Sequence, residues 1–228
     1  MDTLLGQYLT DLKNKVAEMA GMVEEAILIS TKALARKDPE ALHRVFEIED
    51  KINEAHKTID RTCFKLLARQ SPVAGDLRLI IASGRMSVDL ERMGDLACTI
   101  SYCVKDYLAG TPVMMVQEIP KMSDSVRQMV QMCLDAFMRE DEALAREVLQ
   151  LDDAIDQYRD HLSQTLKDGI KTNVASVDSS LELYTIVRNL ERLGDHATNI
   201  AEEVIFLVTG NDIRHLKDKL EEGVNGTI

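Results

Sequence analysis

Tryptophan is missing from the 228 residues, aromatics make up only 4%, and there are 4 prolines. Aromatic side chains favour strands and proline interrupts long helices, so both shortages favour long helices. Long apolar runs are missing as well. No window approaches the ~20 apolar residues of a bilayer span, and the opening MDTLLGQYLT carries an acid and no basic n-region, so an unexported protein is expected. Cys63, Cys98, Cys103 and Cys133 include no C-x-x-C pair, and a chain of this length can hold a core without disulfides. They are expected to be reduced packing residues in a cytoplasmic protein. Basic charge is short too: 27 Lys and Arg stand against 39 Asp and Glu, a formal net charge of -12. Unspecific binding of nucleic acid or anionic lipid relies on basic side chains meeting phosphate, so neither is expected as a partner. Cations and proteins remain open.

What is present is helical periodicity. Leu5, Leu9, Leu12, Val16, Met19, Val23, Ile27 and Leu34 recur at steps of three, four or seven, the spacing of one buried helix face. A first helix is predicted over about 3–35. Asp38-Pro39-Glu40 offers an N-cap acceptor, a proline at the first helical position and an acid at the positive dipole end, so a second helix is predicted from 39 to 70. Its stripe is Val45, Ile48, Ile52, Ile59, Cys63 and Leu66. A third helix runs from Ala74 to a stop at Ala109-Gly110-Thr111-Pro112. The second half repeats the plan through Met122 to Phe137, Val148 to Leu166, and Leu190 to Val204. Short connections join antiparallel neighbours, so the expected fold is all-α: two tandem antiparallel three-helix bundles over 1–112 and 113–210, related by a pseudo-twofold repeat. Residues 211–228 are expected to form a fraying tail.

Within that repeat, DLERMGD (89–95) returns as NLERLGD (189–195), and a period of 100 residues separates Glu91 from Glu191. On a helix, Glu91 lies beside Asp95, and Glu191 beside Asp195. Projection at 100° per residue sets both pairs roughly opposite the apolar stripes of their helices, which places them on the bundle surface. Glu49 and Asn53 on the second helix, and Asp152 and Asp156 on the fifth, are likewise four apart. Antiparallel packing would bring each such pair toward the carboxylates of the following helix. Like charges at this spacing are unfavourable, so matching pairs in both halves point to a compensating cation. Oxygen ligands suit Mg²⁺, Mn²⁺, Ca²⁺ or iron, whereas no thiolate or histidine pair marks a structural zinc site. The second patch is expected to fill more readily, because Asn53 removes a charge from the first. Arg92 and Arg192 give a competing account, since guanidinium groups neutralise carboxylates without metal. Arg78, Arg85 and Arg92 form a stripe that could meet an acidic partner, and His196 is a further possible ligand.

The segments SPVAGDLRLI, DLERMGD and NLERLGDHATNIAEEV, with GMVEEAI in the first helix and GNDIRHL after the sixth, resemble the PhoU family of regulators associated with bacterial phosphate transport. The resemblance implies a cytoplasmic, non-enzymatic adaptor, peripheral to the membrane through its partners and commonly dimeric. It would act between a phosphate ABC transporter and a sensor histidine kinase, keeping the starvation response off when phosphate is plentiful. It also implies a divalent metal (Mn, Mg, Fe or Zn) at E(D)-x-x-x-D motifs. These fall on Glu91/Asp95, Asp152/Asp156 and Glu191/Asp195, while Glu49 has Asn53 in place of the aspartate.

Two rival readings belong to other classes. A carboxylate-bridged di-iron enzyme needs two Glu-x-x-His motifs projecting into a core, and Glu40/His43 is the sole match. A purely structural helical protein would need no site at all.

Overall fold

The computed structural model describes residues 4–110, 118–173 and 177–213. Six long helices follow one another: α1 (Leu4–Arg36), α2 (His43–Gln70), α3 (Ala74–Ala109), α4 (Glu118–Arg139), α5 (Glu142–Thr172) and α6 (Val177–Thr209). The predicted stop before Pro72 holds, with Ser71 at φ 46 outside the right-handed helical region. The start of α2 differs from expectation. A 3₁₀ turn, Glu40–Leu42, precedes it, and Asp38 Oδ1 accepts from the Ala41 N–H only at 3.4 Å, a contact too long to set a full α-turn. Asp141 caps α5 better, accepting from the Leu144 N–H at 3.1 Å. The expected boundary at 110–118 and the tail from 211 fall mostly outside the described residues.

Each half forms the expected three-helix unit, yet the two halves share one continuous apolar core. Among the described residues α2 packs mainly on α1 and α3, and α5 on α4 and α6. The other four helices close a ring, α1 to α3 to α6 to α4 and back to α1, whose most extensive contact joins α3 to α6 across the halves. Arg78 meets Leu207 and Asp89 meets His196, so α3 and α6 run antiparallel. Lys13 meets Glu140 and Thr31 meets Ser123, which sets α1 antiparallel to α4.

The glycine of the repeated motif has a packing role. A Cβ on Gly94 would approach Ile52 to 3.1 Å, and one on Gly194 would approach Ile155 to 3.3 Å. Glycine lets α2 close on α3, and α5 on α6, at that depth without pushing the isoleucine aside by a few tenths of an ångström. In the second half the close approach sets the flank of α5 beside Glu191.

Candidate functional site

In the second half the approach of α5 to α6 builds a charged groove. Arg159 Nη1 donates to Glu191 Oε1 and Asp156 Oδ1, both at 2.8 Å, and Nη2 lies 3.0 Å from Asp160 Oδ1. Arg188 Nε stands farther off, 4.0 Å from Glu191 Oε2. The Glu191 side chain is only 14% exposed, so it lies beneath the guanidinium instead of facing outward. Asp195 does face solvent. Partial burial, followed by the charges of Glu191, Asp152 and Asp156, pushes its carboxyl up to about 6. Arg159 thus bridges Asp156 and Glu191, while the charges of Asp152, Asp156 and Glu191 reach Asp195 through space.

That cation was not the arginine anticipated from the sequence. Arg92 and Arg192 are exposed and make no ion pair among the described residues. Arg159 was legible in principle, because it sits three residues past Asp156 and so on the same helix face. Its role depends on how deeply α5 packs against Glu191, which the one-helix projection could not supply. The outward placement read from that projection holds for Asp95 and Asp195. It fails in part for Glu91 and Glu191, because α3 and α6 each touch three other helices and keep little open surface.

In the first half, Glu49 and Asp50 of α2 and Asp95 of α3 act on Cys98 of α3. Asn53 Nδ2 donates to Glu49 Oε1, so the amide satisfies its neighbour instead of adding a charge. Partial burial, then the charges of Glu49, Asp95 and Asp50, push the Cys98 thiol up to about 12. Both helices thus act on one point. The counterpart of Arg159 in the aligned second helix is His56, which shares a 3.1 Å hydrogen bond with Ser87 Oγ and lies 3.9 Å from Asp60. Among the described residues, no arginine pairs with Glu49, Glu91 or Asp95. Among the described residues, no three His, Cys, Asp or Glu side chains in either half stand close enough together to hold an ion as they are placed.

Several other candidates are engaged inside the molecule. Arg78 Nε donates to the Leu207 carbonyl at 2.8 Å, and Arg85 Nη1 pairs with buried Glu203 at 3.2 Å while its guanidinium lies over the Phe206 ring. Of the proposed partner stripe Arg92 is exposed and unpaired among the described residues, whereas Arg78 and Arg85 keep part of their surface but direct their donors to α6. His196 Nδ1 donates to Asp89 Oδ1 at 2.8 Å and Asn199 Nδ2 to the same oxygen at 3.1 Å. The histidine therefore ties α6 to α3 and is turned from the acidic groove. Glu40 and His43 form a 3.8 Å pair with side chains 88% and 76% exposed, outside any core, which removes the geometric basis for a di-iron site. All four cysteines are unbridged, and Cys63, Cys103 and Cys133 are buried.

The PhoU domain family model matches the chain twice, over residues 16–104 and 119–204, once per three-helix unit. The chain belongs to the PhoU family. Among curated relatives, the phosphate-specific transport system accessory protein PhoU homolog of Pseudomonas aeruginosa is 36% identical over 209 residues, covering 91% of this chain and 86% of that protein. PhoU homolog 1 of Thermotoga maritima is 33% identical over 221 residues, covering 96% and 94%. The crystal structure of PhoU from Pseudomonas aeruginosa superposes with a TM-score of 0.85 over 90% of this chain and 99% of that one. The phosphate transport system regulatory protein PhoU from Streptococcus pneumoniae, 29% identical, gives 0.84 over 91% and 98%. PhoU relatives thus share the six-helix arrangement along with the sequence pattern.

Proposed function

We propose that this chain is a cytoplasmic accessory regulator of phosphate transport, an adaptor that links a phosphate ABC transporter to a sensor histidine kinase and represses starvation signalling when phosphate is plentiful. The observation that supports this most is the double PhoU-domain match over a fold whose two outer helix pairs present acidic grooves. None of the helices described is long and apolar enough to cross a membrane, so contact with the transporter would run through its cytoplasmic parts. The role is non-enzymatic, and the working form is a homodimer, to be checked by light scattering. Deleting the gene should raise a phosphate-starvation reporter in phosphate-rich medium, and re-expression should silence it. Normal repression in the deletion strain would overturn the adaptor reading.

Metal is part of the same proposal. The donors Glu49, Glu91 and Asp95 in the first groove, and Asp152, Asp156, Glu191 and Asp195 in the second, are carboxylates that fit a hard divalent cation such as Mg²⁺ or Mn²⁺. Iron is also compatible, and zinc is the least suited to an oxygen set. A bound cation would offset the like-charge crowding. In the first groove no arginine among the described residues stands to be displaced, so Glu49, Glu91 and Asp95 are the primary ligands in this reading. Cys98 reports on it, since positive charge beside Glu49 and Asp95 stabilises the thiolate. Adding Mg²⁺ is expected to lower the thiol pKa and speed alkylation at a fixed alkaline pH. An unchanged rate across millimolar Mg²⁺ would remove the first-groove ligand set.

A further inference from the structure

On the outer face of α2, Glu47, Asp50 and Glu54 give way to a basic row, with half-exposed Asp60 on its flank. Lys57, Arg61, Lys65 and Arg69 follow one another at four-residue steps, all exposed, along ~18 Å of helix. Lys57 pairs with Glu54 at 2.8 Å. Arg61, Lys65 and Arg69 make neither an ion pair nor a hydrogen bond among the described residues. Apolar surface flanks the row on both sides. Phe64 is 71% exposed and Leu67 40% on one flank. On the other, a surface pocket of ≈ 240 Å³ is lined by Tyr8 of α1 together with Thr62, Lys65, Leu66, Arg69 and Gln70. Like charges at this spacing disfavour a helix, and a large aromatic left in water gains nothing from folding. In a chain of net charge -12 the combination is a local exception.

We propose that this face of α2 docks an acidic segment of a partner protein, with carboxylates along the Arg61, Lys65 and Arg69 row and an apolar side chain seated in the pocket beside Tyr8. Charge complementarity selects the acid. The concavity selects a protruding side chain, and the length of the row matches about three helical turns. A flat anionic lipid surface fits less well, because Glu47, Asp50 and Glu54 share the same outward face farther up the helix and would be pressed against it. The inference rests on the adaptor reading only in requiring a protein partner. Nothing in the acidic grooves contributes to it.

The test uses the full chain and measures binding to the purified transporter ATPase and to the kinase cytoplasmic domain at low and high salt. Vesicles containing phosphatidylserine are the third probe. The variants are Arg61→Glu/Lys65→Glu and, separately, Phe64→Ser. All three positions are exposed, so helicity and Tm are expected to stay as in the native chain. The double variant is expected to weaken binding to one of the two proteins by at least tenfold and to flatten its salt dependence, with a smaller loss for Phe64→Ser. Unchanged protein binding in both variants overturns the docking face and leaves the adaptor reading intact. No binding of the native chain to either protein overturns both. Native binding to the vesicles alone, lost in the double variant, assigns the row to lipid and overturns the protein-segment proposal.

Discussion

Asp195 shows what crowding does to a single carboxyl. Its pKa rises from 3.8 to about 6 through partial burial and the charges of Glu191, Asp152 and Asp156, with His196 opposing them. A carboxyl that holds its proton more tightly when folded costs stability once ionised. The cost is absent below 3.8, grows as pH rises toward 6 and is complete above that value. Asp195→Asn is therefore expected to melt above the native chain near neutral pH, with the difference vanishing in acid. Thermal melts by circular dichroism across that range check the sign. Because Asp195 also has exposed surface, added salt screens its neighbours and narrows the difference. Arg159 relieves the rest of this cluster, and Arg159→Gln is expected to raise the affinity of the second groove for Mg²⁺ by roughly tenfold, read by calorimetry, because the metal then meets no resident cation. Equal affinities would show that the guanidinium does not compete. Gly94→Val should lower stability by about 1–3 kcal/mol in urea unfolding, and Ile52→Ala in the same chain should recover part of that loss.

At the scale of elements, the contact between α3 and α6 is held by directed polar groups as well as by apolar burial. Arg85 gives its charge to Glu203, of which only 3% is exposed, and lies over Phe206. Arg85→Ala is expected to cost about 1–3 kcal/mol, below the usual loss for a fully buried pair because the arginine side chain is itself 40% exposed. Glu203→Gln in that background should return part of it, measured by urea titration. The helices themselves were readable from the sequence. Apolar steps and breakers predict the ends of α1, α2 and α3 within about four residues of those observed, and the doubled motif shows that the halves correspond. Which polar residues a helix spends on its neighbours was not readable. Arg78 and Arg85 look like surface charges on their own helix, and they become interface residues only once α6 is laid antiparallel beside α3.

For the whole molecule, the shared core means that neither half is a closed unit. The four central helices bury one another across the boundary, with Ser123 Oγ donating to Thr31 Oγ1 at 2.8 Å and Arg127 paired with Glu24 at 2.8 Å between α4 and α1. The full chain is expected to unfold in one cooperative transition, seen alike by calorimetry and circular dichroism. The first half alone, residues 1–112, is expected to bind a hydrophobic dye and to lose that sharp transition, because its α1 and α3 faces would lie open to water.

The sequence by itself determined the helices, the doubled plan, the family and the acids of the motif, since periodicity, breakers and repetition are properties of neighbours along the chain. Only the tertiary structure decided what those acids meet. Gly94 and Gly194 admit Ile52 and Ile155, and the close packing of α5 on α6 brings Arg159 onto Glu191. Asp89 takes His196 away from the acidic groove. Charges act through space over distances that the chain order does not encode, so the partner of each carboxylate was settled by the packing of helices and not by the motif that carries it.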